Sequence, residues 1–170
     1  MKILVSLLMC FTALFATAQD SVVQSNITGL LGFNQGQIAA LAQEFSEERF
    51  SWRPAEGVRS VRETILHLAS ANYYIASGLG FEIPKDVDMQ SIEQITGKEN
   101  VIDALNKSFE FIKDKLNQIP SADFEKEVDL GFMKTSKLSG MLIILDHSGE
   151  HKGQLIAYAR SNGIVPPWSN

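Results

Sequence analysis

The chain has 170 residues and a net charge of −5 at pH 7, with 20 acidic and 15 basic side chains. No basic cluster stands out, so the composition argues against nucleic acid and anionic membrane surfaces as partners. The length suits one compact domain, and a single cysteine excludes a disulfide framework within the chain.

The first 18 residues have the pattern of a secretory signal peptide. Lys2 precedes a run without charge that reaches Gln19, has an apolar centre and contains Ala16-Thr17-Ala18 near its end. The run is short for a membrane span, which needs about 20 apolar residues. We therefore predict cleavage after Ala18, export of a domain over residues 19–170, and no stable insertion of that domain in a membrane. An uncleaved N-terminal anchor is the alternative.

Four amphipathic helical patterns follow the predicted signal peptide, without a convincing alternating strand pattern. Apolar residues recur at three- and four-residue steps and predict helices over about 22–48, 60–79, 98–119 and 139–162. Ser60 and Glu63 form the pattern of a capping box at the start of the second helix, and Thr96 and Glu99 form another before the third. The patterns predict an all-α fold, a four-helix bundle.

The connections between the predicted helices are unequal. Up-and-down bundles usually join neighbouring helices with about 2–8 residues. The link over 81–97 is longer, which favours a crossover with the second and third helices parallel. A second long link, over 120–138, contains a stretch at 127–130 that we predict to be briefly extended.

The three histidines are the main chemical feature of the chain. His147 and His151 lie four residues apart, which places them on one helix face about 6 Å apart along the axis. His67 lies mid-way along the second helix, at a depth that lets it meet the pair. Three imidazoles from two helices predict an open-sided metal site. The alternative is a set of core histidines whose polar atoms are satisfied by their neighbours.

Several polar residues are candidates for the surroundings of this site. Glu150 is a weak candidate for a general base, with plain solvent exposure as the alternative. Tyr158 is the second weak catalytic candidate, and with Gln154 it continues the inward stripe of the fourth helix. Asn34 and Asn72 lie on the apolar stripes of the first two helices, where a packing role is an equal alternative.

The segment His147-x-x-Glu150-His151 also matches the inverted zinc-protease pattern. We discount a protease of that class, because it takes a further carboxylate ligand from far downstream and the sequence after His151 is short. The sequence shows neither a serine in a nucleophile elbow nor a glycine loop that would hold phosphate.

Two segments resemble the signature of the DinB/YfiT-like family. Residues 52–69 begin with Trp-Arg-Pro and contain His67, and residues 147–168 begin with His-x-x-x-His-Lys-Gly-Gln. The resemblance spans essentially the whole predicted domain. It implies a four-helix bundle in up-down-down-up order and a divalent metal held by His67, His147 and His151.

The resemblance also implies a range of activities on small-molecule substrates. Relatives include hydrolases and transferases that use a low-molecular-weight thiol, so the site is expected to activate water or a thiol. Zinc is the expected metal, with nickel, manganese or iron as alternatives, because imidazole discriminates weakly among them. Some members are homodimers, which makes a homodimer an expectation here. The predicted export argues against thiol transfer, since those relatives work in the cytosol. The rival interpretation is a non-enzymatic helical domain whose metal is structural or scavenged.

Overall fold

A computed structural model describes the backbone of residues 2–169 and the side chains of residues 22–169. The helices are α1 (Lys2–Glu44), α2 (Val61–Gly78), α3 (Lys98–Asn117) and α4 (Lys137–Ser161), and the strands are β1 (Glu127–Asp129) and β2 (Lys134–Ser136). The predicted signal peptide, residues 1–18, lies outside the described side chains. Within the described part of the chain, no helix combines the length and apolar character needed to cross a membrane.

The four helices pack in the predicted up-down-down-up order. Arg62, in the first turn of α2, donates a hydrogen bond to the carbonyl of Ile95, just before α3, at 3.0 Å. The starts of α2 and α3 therefore lie together, and these helices are parallel. Tyr158, near the end of α4, donates to the carbonyl of Arg59, just before α2, at 2.9 Å. Helix α4 is thus antiparallel to α2 and lies beside α1.

One apolar core fills the space between the helices, and it is built from the predicted stripes. Burial of such stripes is the main source of stability in a helical bundle. The crossover between α2 and α3 adds a smaller cluster in which Ile92 packs with Ala69 and Tyr73. The largest fully buried side chains include Leu31, Leu41, Phe45, Ile65, Leu68, Leu105, Phe109 and Ile112.

The two predicted helix caps have different outcomes. At α2 the capping box is present, since Glu63 N–H donates to the Ser60 hydroxyl at 3.2 Å and Ser60 N–H donates to the Glu63 carboxylate at 2.8 Å. At α3 the prediction is wrong, because the N-cap is Gly97, with φ +85°, and not Thr96. The Glu47 carboxylate, in the segment after α1, instead accepts from the first backbone N–H of α3 at 3.0 Å. This contact joins distant parts of the sequence.

The predicted extended stretch forms an antiparallel hairpin of β1 and β2, in which Val128 faces Thr135. The hairpin packs on the end of α2, where a Cβ on Gly78 would lie 3.0 Å from the Cα of Leu130. Only a glycine permits this approach without a shift of the backbone. The approach brings Phe132, in the hairpin turn, to a ring-centroid distance of 6.4 Å from Tyr74.

Candidate metal centre

Three histidine side chains meet between α2 and α4. The candidate ligand nitrogens of His67, His147 and His151 lie within 4.8 Å of one another. The Nε2 atoms of His147 and His151 are 3.0 Å apart, and the His67 ring stands edge-to-face with both, at centroid distances of 5.2 and 5.0 Å. His151 is buried and the other two are half-buried. The structure thus brings together all three of the predicted ligands.

The spacing of the ring nitrogens suits one shared metal ion. Two nitrogens that each lie about 2.0–2.1 Å from an ion are about 2.8–3.4 Å apart when the nitrogen–metal–nitrogen angle lies between a right angle and the tetrahedral angle. The separation of 3.0 Å between the two Nε2 atoms falls within that range. Two nitrogen lone pairs at this distance repel unless a proton or a cation lies between them. The donor set therefore fits a divalent ion of the kind that prefers imidazole.

A hydrogen-bond chain determines which nitrogen of His151 carries the lone pair. The Arg59 carbonyl can only accept, so the Tyr158 hydroxyl donates to it at 2.9 Å. That hydroxyl accepts from the Gln154 amide nitrogen at 2.7 Å, and Gln154 Oε1 then accepts from Nδ1–H of His151 at 2.7 Å. Nε2 of His151 is left as an acceptor directed at His147, as a metal ligand requires.

His67 has a carboxylate neighbour that the sequence did not indicate. Glu93 lies in a short 3-10 turn of the crossover, Ile92–Gln94, and its Oε1 is 3.6 Å from Nδ1 of His67. A carboxylate beside the non-ligating nitrogen of a metal-binding histidine fixes the ring and raises its basicity. Glu93 belongs to no helical stripe, so its role could be found only from the path of the crossover.

Burial keeps His67 and His147 neutral. Desolvation, followed by repulsion from His151, His67 and Arg59, lowers the pKa of His147 to about 4. Desolvation is also the main cause that lowers the pKa of His67, with Arg59 and His151 adding to it and Glu93 opposing it. Neutral imidazole is the form that binds a metal, so the two rings compete little with protons near pH 7.

We expect the metal-free protein to lose stability as the pH falls from about 6.5 to about 4. His147 has a pKa of about 4 in the folded state against an ordinary value of 6.5. Between these values the unfolded chain binds a proton that the folded chain does not, so acid favours unfolding. Urea unfolding of the metal-free protein across this range measures the effect, and His147→Asn should flatten the dependence. A free energy of unfolding that increases towards pH 4 would contradict the assignment.

A cavity of about 390 Å³ opens beside the histidines. His67 and His147 form one side of it, and the exposed carboxylates of Asp146 and Glu150 lie at its edge. Glu150 therefore lies in contact with solvent and also lines the cavity at the site. The other lining residues are apolar or aromatic: Ala71, Tyr74, Ile75, Phe132 and Ile143.

The remaining candidates are not among the residues that line this cavity. Tyr158 is 5% exposed, and its hydroxyl takes part in the chain that supports His151. Asn34 donates to the Ser148 hydroxyl at 2.8 Å, and Asn72 donates to the Ser108 hydroxyl at 3.1 Å. Each amide joins two helices, which agrees with the packing alternative.

Gln154→Leu should lower metal affinity about 10- to 100-fold, as is typical for loss of an outer hydrogen-bond partner. The leucine has a similar volume but cannot accept from Nδ1–H of His151, so the ring is free to turn and to change tautomer. Competition with a chromophoric chelator measures the affinity. Gln118→Leu, at an exposed glutamine beyond α3, is the matched control. Equal affinities in the two variants would count against the role of the chain.

The amino-acid sequence resembles one family model and the sequence of one known protein over most of its length. The family model described as the DinB family matches residues 28–170. The uncharacterized protein YjoA of Bacillus subtilis (strain 168) is 26% identical over 129 residues, which cover 72% of this chain and 80% of that protein.

Solved structures share the fold. A DinB-like protein from Bacillus cereus ATCC 10987 superposes with a TM-score of 0.69 at 16% identity and covers 82% of this chain and 92% of its own. YjoA from Bacillus subtilis gives 0.65 at 21% identity, with 82% and 93% covered. YfiT from Bacillus subtilis gives 0.65 at 14% identity, with 84% and 89% covered, and it is described as a probable metal-dependent hydrolase with an unusual four-helix bundle topology.

Proposed function

The chain belongs to the DinB family, and on that premise we propose that it is a metal-dependent hydrolase whose divalent ion is held by His67, His147 and His151. The observation that carries the proposal is the meeting of three imidazoles, two of which, those of His67 and His147, line a cavity. The description of YfiT, which shares the fold, supports hydrolysis. We propose zinc as the ion, with nickel, manganese or iron as alternatives.

A divalent ion in such a site supplies a Lewis acid that lowers the pKa of bound water towards 7 and polarises a substrate oxygen. Neighbouring residues of this chain contact the histidines that would hold the ion. Gln154 holds the Nδ1–H of His151, so that its Nε2 remains an acceptor, and Glu93 lies beside the corresponding nitrogen of His67.

We assign the proton transfer to Glu150, whose carboxylate lies at the cavity edge beside His147. It would take a proton from the attacking water and return it to the leaving oxygen or nitrogen as the ester or amide bond breaks. The water oxygen ends in the acid product, and the proton ends on the leaving group. Asp146, on the same edge, is the alternative base.

The walls of the cavity favour a substrate with an apolar group. The rings of Tyr74 and Phe132 and the side chain of Ile143 line it, while two carboxylates at its edge disfavour anionic groups. The volume of about 390 Å³ lies within the range of small-molecule sites. Small esters, lactones or amides with an uncharged apolar group are therefore the substrates we propose.

A comparison of metal-loaded with metal-free protein tests the function. The panel contains apolar esters, lactones and amides, together with pairs of a thiol and an electrophile. We expect hydrolysis by the loaded form alone, and Glu150→Gln should reduce kcat by about 10²-fold or more while metal is retained. Glu110→Gln, at an exposed glutamate of α3, is the control.

Two other outcomes would replace the hydrolase. Metal-dependent transfer to a thiol without hydrolysis would make the protein a transferase. No turnover on any substrate, with a large loss of thermal stability when the metal is removed, would favour a non-enzymatic domain with a structural metal. Export, from the pattern of residues 1–18, and homodimerisation, from the family resemblance, stay predictions.

A further inference from the structure

A second cavity, of about 570 Å³, lies between the crossover and α3. Its lining includes Ile92 and Ile95 from the crossover, Ala104 from α3 and Tyr73 from α2. None of its lining residues belongs to the cavity at the histidines. It is therefore a separate space in the fold, and its size is that of a small-molecule site.

The hydroxyl of Tyr73 is the first sign of a ligand in this second cavity. The residue is only 3% exposed, yet its hydroxyl has no hydrogen-bond partner among the residues whose side chains are described. In that part of the chain, the one fully buried side-chain polar atom without a partner is Gln24 Oε1. The Tyr73 hydroxyl is therefore accessible, and Tyr73 lines the cavity. The hydroxyl of a tyrosine this deeply buried normally has a hydrogen-bond partner, so a free one at the cavity indicates a binding group.

The charge of the second cavity determines the kind of ligand. Asp86, Asp88 and Asp103 line it, against one lysine, Lys107, which pairs with Asp103 at 2.8 Å. Desolvation is the largest cause that raises the pKa of Tyr73, and the negative charges of Asp86 and Asp103 are the next largest. The phenol therefore lies within the electric field of these two carboxylates. The cavity therefore has a negative potential, which attracts a cation.

Asp86 is the carboxylate best placed to meet such a cation. Asp103 already has its lysine, and Asp88 accepts from the backbone N–H of Gln90 at 2.9 Å. Asp86 has neither an ion-pair nor a hydrogen-bond partner among the described side chains, although it lines the cavity.

We propose that the second cavity binds a small molecule that carries a primary ammonium or a guanidinium on an apolar body. The cation donates to the Tyr73 hydroxyl and to the Asp86 carboxylate, and the apolar body packs against Ile92, Ile95 and Ala104. The proposal is independent of the hydrolase, because the two cavities share no residue.

The test uses 2-phenylethylamine as the probe, with 2-phenylethanol as its neutral counterpart and 3-phenylpropionate as the anionic one. Backbone amide signals of the ¹⁵N-labelled full chain are followed by NMR at pH 7. The amine should shift amides within 86–96 and 100–107, and it should bind about tenfold or more tightly than the carboxylate. Added salt should weaken binding of the amine and leave binding of the alcohol unchanged.

Two variants assign the binding groups. Asp86→Asn should lower the affinity for the amine about tenfold without changing the affinity for the alcohol. Tyr73→Phe, which keeps the ring, should lower the affinity for the amine about fivefold. Asp114→Asn, at an exposed carboxylate of α3 outside the cavity, should change neither. The proposal is overturned if the amine does not bind, if it shifts amides around the histidines instead, if the carboxylate binds as tightly, or if Asp86→Asn behaves like the control.

Discussion

His147→Ala should abolish metal binding and leave the fold in place. Loss of a direct ligand should exceed the 10- to 100-fold effect of losing an outer partner, so we expect affinity to fall by more than about 100-fold. The residue is half-buried and lies outside the apolar core. The free energy of unfolding of the metal-free protein should therefore change by about 1 kcal/mol or less.

Metal titration and urea unfolding of the metal-free protein give the two readouts for this variant. Arg160→Ala, at an exposed residue near the end of α4, should match the unsubstituted protein in both. An unchanged affinity in His147→Ala would remove this residue from the site. Unfolding of the metal-free variant would instead mean that the imidazole holds the bundle together without a metal.

Phe109→Ala should have the opposite pattern, a large loss of stability with metal affinity retained. Phe109 is fully buried in α3, and truncation of such a ring costs about 3–5 kcal/mol through lost burial and a residual cavity. That loss is a large share of the roughly 5–15 kcal/mol that stabilises a typical domain. The histidines lie on α2 and α4, so molecules that remain folded should bind metal as before.

Phe33→Ala is the control for this substitution, because Phe33 is 58% exposed and its loss should cost about 0.5 kcal/mol or less. Urea unfolding at low temperature measures both variants. A loss below about 1 kcal/mol in Phe109→Ala would show that the core is not packed as described. Together the alanine variants at 147 and 109 separate metal binding from the stability of the bundle.

The features of the fold that sequence could predict are those that depend on neighbours in the chain. Apolar stripes, the Ser60 cap of α2 and the four-residue spacing of His147 and His151 are local patterns, and the structure contains all of them. The length of the link over 81–97 favoured parallel second and third helices, because a parallel pair needs a long connection from the end of one helix to the start of the next.

The features that sequence could not predict depend on tertiary contacts. Glu47 caps α3 from the segment after α1, and Glu93 reaches His67 from the crossover. Gln154 was a candidate, but its connection through Tyr158 to the Arg59 carbonyl joins α4 to the residue before α2. In each of these pairs, the partner is chosen by how the bundle packs and not by a spacing along the chain.

The most direct test of the three-histidine site is X-ray absorption spectroscopy at the metal edge of the zinc-loaded protein. We expect three imidazole nitrogens at about 2.0–2.1 Å with a further light ligand. His147→Ala should remove an imidazole from the spectrum or leave the protein without bound zinc. A coordination shell made of oxygen, or a spectrum that is the same in His147→Ala as in the unsubstituted protein, would contradict the site.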